Sequence, residues 1–195
     1  MEAFSDGVIA IIITIMVLEL RPPSDPSLAA LGGVVPVLLS YVLSFVLLGI
    51  YWNNHHHLLQ ATRQVNGRIL WANLHLLFWL SLVPFVTGWM GTTHFAGKPV
   101  AVYGGVLLAA AIAYFILTRA LIARHGPESA LAAAVGSDRK GKLSILLYAA
   151  AIAVSVVSPE TALAIYVLVE LIWLVPDRRI EDQLTRAATT SSSPD

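Results

Sequence analysis

Six apolar runs, at roughly 4–20, 31–51, 69–90, 100–123, 143–157 and 161–175, restrict what this chain can fold into. A helix of ~20 residues crosses a hydrocarbon core of ~30 Å, so three of the runs are long enough to span and the first, fifth and sixth are short but acceptable. The runs are continuous and rich in Ala and Leu, unlike barrel strands, which alternate over ~10 residues. The expected fold class is therefore all-α, a polytopic membrane protein with six transmembrane helices. Composition agrees. With 57% hydrophobic and 12% charged residues in 195, the chain cannot build the charged skin of a soluble domain. Twelve basic residues balance twelve acidic ones, which leaves no excess charge for nucleic acid, and the lack of cysteine excludes disulfides, thiolate metal sites and cysteine nucleophiles.

Helix breakers separate the runs. Arg21-Pro22-Pro23-Ser24-Asp25-Pro26 follows the first, Gly97-Lys98-Pro99 precedes the fourth, and Ser158-Pro159-Glu160 lies between the last two. In that third group Ser158 is placed to cap, Pro159 suits the first helical position, and Glu160 meets the positive end of the helix dipole. The turn predicts an antiparallel hairpin of the last two spans. Lys and Arg near span ends stay cytoplasmic. Ten of the twelve (Arg63, Arg68, Arg119, Arg124, Arg139, Lys140, Lys142, Arg178, Arg179, Arg186) fall on one side and two (Arg21, Lys98) on the other, which predicts a multi-pass inner-membrane protein with both termini cytoplasmic. The first run has no basic n-region and no small-residue cleavage site, so it reads as a mature span. The membrane domain is expected over 1–183, with a disordered tail over 184–195 whose Ser and Thr runs and Pro oppose packing.

At about 100° per residue, Phe4, Val8, Ile11, Ile15 and Leu18 share one stripe of the first helix, with Thr14 beside it, while Asp6 lies about 140° from Ile11. Phe4-Ser5-Asp6-Gly7, running into Ala10-Ile11, Thr14 and Leu18-Glu19-Leu20, resembles the first helix of the transmembrane protein 175 family, potassium channels of animal lysosomes and bacteria. Trp52-Asn53-Asn54-His55-His56 at the end of the second run and Trp71-Ala72-Asn73-Leu74 at the start of the third extend the resemblance. The place of the Arg that members carry four residues before the Phe falls ahead of Met1. One Phe-Ser-Asp string on one set of six runs matches the bacterial form.

The resemblance implies a potassium-permeable cation channel with no enzymatic activity and no cofactor beyond the permeant ions. Its pore would be lined by the first helix of four identical chains in a homotetramer, within a lipid bilayer. Ile11, Ile15 and Leu18 would form apolar constricting rings, with Ile11 at the family's isoleucine position and Thr14 adding a ring of hydroxyls. Phe4, Ser5, Asp6, Trp52, His55, His56 and Asn73 would form a structural polar cluster. No Thr-Val-Gly-Tyr-Gly filter occurs; Tyr103-Gly104-Gly105 lacks its flanks. Consecutive helical residues diverge, so His55, His56 and His57 cannot converge on one ion, and no metal site is expected. Glu170 and Arg119 fall at similar depth and are expected to pair. The competing reading is a proton- or cation-coupled secondary transporter, which would use Glu170 differently; broken helices or an internal three-plus-three repeat would favour it.

Overall fold

A computed structural model describes residues 1–174 apart from Arg63, Pro127 and Ser137, with only the backbone at Ala130 and Ala134. The predicted tail and the basic residues Arg63, Arg178, Arg179 and Arg186 lie outside the described residues. The elements, in order, are α1 (Glu2–Met16), α2 (Val35–Gln60), α3 (Gly67–Ser81), α4 (Val83–Thr92), α5 (Gly97–His125), α6 (Ala130–Val135), α7 (Arg139–Ser155) and α8 (Pro159–Leu174). Short 3₁₀ turns at Val17–Glu19 and Leu28–Gly33 flank the proline-rich link between α1 and α2. No strand occurs among the described residues. Val35–Gln60, Gly67–Thr92 and Gly97–His125 are long and apolar enough to cross a membrane.

Each apolar run is mostly helical over its described residues, but three boundaries differ from the sequence reading. α2 continues past the apolar run to Gln60, so the Trp/His motif lies within the last turns of the helix. The third run breaks at Leu82, because Pro84 in the first turn of α4 brings no N–H to continue the α3 ladder. α1 tightens into a 3₁₀ turn after Met16, and Leu18 sits in that turn. At the α7–α8 hairpin the Ser158 hydroxyl meets Thr161 Oγ1 at 2.8 Å.

α5 lies at the centre, packed against α3, α4, α7 and α8, while α1 leans on α2, α3 and α4. Association of apolar helices in lipid rests on close packing and interhelical hydrogen bonds, since lipid tails are as apolar as the helices. Ser44 of α2 meets Thr87 of α4 at 2.6 Å and Tyr103 of α5 at 3.0 Å, all three buried. Tyr166 of α8 donates to the Val100 carbonyl at 3.1 Å and crosses Gly104, where a Cβ would collide with its hydroxyl. The Tyr103-Gly104-Gly105 string is thus a packing site for α8.

At Gly91 α4 comes close to the backbone of α2. A Cβ there would lie 2.8 Å from Val37 Cα and strike Ser40 Oγ, and a backbone atom cannot swing aside. Gly91→Val is expected to cost about 1–3 kcal/mol, read as a lower midpoint in detergent unfolding. Gly105→Ala, which points into open space within α5, should not lower the midpoint and should add up to about 1 kcal/mol of stability.

Candidate functional site

The inward face of α1 carries Ser5, Ile9, Ile12 and Met16, all buried at the spacing of four, three and four that one helical face requires. The opposite face leaves Phe4 58%, Ile11 58%, Ile15 46% and Leu18 73% exposed. Val8, predicted on that stripe, sits at its edge and is half-buried against the core, as its offset of about 60° from Ile11 dictates. Thr14 is exposed, and its hydroxyl donates to the Ile11 carbonyl at 2.9 Å. The Oγ1 lone pairs stay free on the exposed side.

At the N-terminal end of α1 a chain of hydrogen bonds ties three helices together. Asn73 Nδ2 donates to Ser5 Oγ at 2.9 Å, and Ser5 in turn donates to the Met1 carbonyl at 3.2 Å. Asn73 Oδ1 lies 2.7 Å from His55 Nε2. Because the Asn73 amide nitrogen is committed to Ser5, its oxygen must accept, which fixes His55 as the Nε2–H tautomer. Ser5, His55 and Asn73 are all buried. Asn73 is reached because the Asn66 side chain caps α3, accepting from Ile69 N–H at 3.0 Å, and so sets the helix start two turns earlier.

Asp6 belongs to a neighbouring group. His56 Nδ1 lies 3.2 Å from Glu2 Oε1 and 3.4 Å from Asp6 Oδ2, without hydrogen-bond alignment to either. Trp52 stacks on the His56 ring at 5.7 Å, and Gln60 meets its Nε2 at 2.9 Å. The expected single cluster is therefore two, Ser5–Asn73–His55 and Asp6–Glu2–His56. Phe4 joins neither: at 100° from Ser5 it turns to the exposed face. The three histidines diverge: His55 turns to Asn73, and the rings of His56 and the half-buried His57 meet edge-on with centres 6.0 Å apart. Among the described residues the ligand-type atoms of Glu2, Asp6 and His56 lie within 4.8 Å of one another, so these would be the ones to hold a cation at this end. Sequence reasoning missed Glu2, although its spacing of four from Asp6 places both on one helical face.

Glu170 does not pair with Arg119. The carboxylate is buried between helices with Oε1 lacking any partner, while Arg119 sits on the exposed face of α5, its guanidinium 5.9 Å from the Phe115 ring centre. Similar depth along two helices does not make their side chains face each other.

The family described as endosomal/lysosomal potassium channel TMEM175 matches residues 1–84, from α1 into the start of α4. A potassium channel of Chryseobacterium sp. (strain P1-3) is 56% identical over 184 residues, which are 94% of this chain and 96% of that protein. The endosomal/lysosomal proton channel TMEM175 of Mus musculus is 30% identical over 126 residues, which are 58% of this chain and 25% of that protein. The crystal structure of a lysosomal potassium-selective channel TMEM175 homolog from Chamaesiphon minutus has a TM-score of 0.79 at 27% identity, covering 90% of this chain and 95% of that one. These relatives are channels, not enzymes. With near-complete coverage at 56% identity, and a family match that begins on the helix carrying Phe4-Ser5-Asp6, the chain belongs to the TMEM175 family.

Proposed function

We propose that this protein is a potassium-permeable cation channel, a homotetramer of six-span chains in the cell membrane with α1 lining the central pore and both termini cytoplasmic. The observation that carries the reading is the division of α1 into a buried face and an uncovered one. Ile11, Ile15 and Leu18 stand exposed on the helix with which the family match begins. One helix cannot enclose a pore, but four copies around an axis can, and closed rotational symmetry then stacks each residue as a ring.

Three apolar rings form a barrier by dewetting, because potassium cannot shed its water where no oxygens replace it. Thr14 places four hydroxyl oxygens one helical turn from Ile11, and discrimination between cations rests on this ring rather than on backbone carbonyls. The Ser5–Asn73–His55 chain holds the rotation of α1, and so decides which side chains face the axis.

Liposomes holding the purified protein and a potassium gradient test this directly. A potential-sensitive dye should report potassium efflux without ionophore and a smaller response to an equal sodium gradient. Substrate-dependent, saturable exchange with no electrogenic leak would instead indicate a secondary transporter, and no flux at all would end both readings.

A further inference from the structure

Helices α2, α5, α7 and α8 line a cavity of about 40 Å³ to which no residue of α1 contributes. Gly141, the third residue of α7, lines it, so it lies within about one turn of that helix's start. Its walls are aromatic: Tyr51, Tyr114, Tyr148 and Trp173. Edge-on contacts, Tyr51 to Tyr114 at 6.1 Å and Tyr114 to Trp173 at 6.3 Å, hold the rings in place. Glu170 also lines the space, 6% exposed, with Oε1 buried and unpartnered.

Several other polar groups around the cavity are already bonded. Ser144 donates to the Lys140 carbonyl at 2.9 Å and accepts from Trp173 Nε1 at 2.8 Å, and Tyr114 donates to the Asn54 carbonyl at 3.3 Å. None of these bonds reaches Glu170 Oε1, which has no hydrogen-bond partner among the described residues. A buried carboxylate without a partner is costly, and within a membrane protein it marks a place where something binds. The faces of Tyr and Trp rings attract cations, and a charge-assisted N–H to carboxylate bond is the stronger kind. At ~10–15 Å³ per water-sized group, the volume holds on the order of three.

We propose that this cavity binds a small primary ammonium group, free or on the ethanolamine headgroup of a lipid, with Glu170 as its anion and the four rings as its walls. The ammonium donates to Glu170 Oε1, and its carbon side rests on Tyr and Trp. The site is separate from the proposed pore, and its occupancy does not depend on ion conduction.

Titrating methylammonium into the full chain in detergent should give a saturable rise in thermal midpoint that equal concentrations of K⁺, Na⁺ and tetramethylammonium do not give. Glu170→Gln, which keeps the shape and loses the charge, should weaken that response at least about tenfold. The half-buried Trp173→Leu should weaken it about threefold, and it serves as the decisive variant should Glu170→Gln not assemble. In nanodiscs, phosphatidylethanolamine should abolish the methylammonium response if the lipid is the ligand, whereas the response should be equal in phosphatidylcholine and phosphatidylethanolamine if a free amine is. Three results would overturn the proposal: no saturable response in the wild type, as for a cavity holding water only; an equal response to K⁺; or a response unchanged in the variant read.

Discussion

Liposomes carrying Ile11→Asn are expected to pass potassium at least about tenfold faster than those carrying the wild type. Under the proposed arrangement, four Ile11 side chains meet on the axis, and the barrier is the cost of keeping water and a hydrated ion between apolar walls. Asn occupies less volume and offers an amide that holds water, so the dry state loses its advantage. A fall of about 1.4 kcal/mol in that barrier is a factor of ten in rate. If α1 uses this stripe to pack against a neighbour instead, a buried amide weakens the assembly and flux stays low. Flux per size-selected oligomer separates the two. An intact Ile11→Asn oligomer with wild-type flux would remove Ile11 from the barrier.

Asn73→Leu tests the device that orients α1. Leu keeps the branched side-chain skeleton of Asn, although its methyl groups are bulkier, while the buried His55 Nε2–H loses its acceptor and Ser5 Oγ loses a donor. Stranding a buried donor costs about 1–3 kcal/mol in general, and polar pairs between membrane helices lie toward the lower end, so about 1–2 kcal/mol of lost stability is expected. His55→Phe alone should cost a similar amount by leaving Asn73 Oδ1 unanswered. The double variant should cost clearly less than the two singles together, because replacing both partners by apolar groups leaves little unsatisfied. Detergent unfolding midpoints of the four proteins complete the cycle, and strict additivity would show that the pair does not act as a unit.

Asp6 shows how far a helical wheel reaches. Its offset of about 140° from Ile11 turns it away from the exposed stripe, and Ser5, about 120° from Ile11, is turned inward too. Neither angle says which residue of another helix will be there. Asp6 met His56 and Glu2, and Ser5 met Asn73, a division that depends on how α2 and α3 are rotated about their own axes. Phe4 belongs to the Phe-Ser-Asp string that the resemblance assigns to the cluster, yet the wheel already sets it on the stripe with Ile11, about 100° from Ser5, and there it is exposed.

The sequence by itself determined the helical class, the places of the six runs and the two faces of α1, because run length, breakers and a period of 3.6 are local properties of the chain. Only the tertiary structure decided that His55 binds Asn73 while His56 takes the carboxylates, that Gly104 seats Tyr166, and that Glu170 faces four aromatic rings rather than Arg119. Each of these contacts joins residues on different helices. Helical periodicity sets angles within one helix, but their relative rotation and depth are fixed when all of them pack together, with glycines and buried hydroxyls choosing the closest approaches.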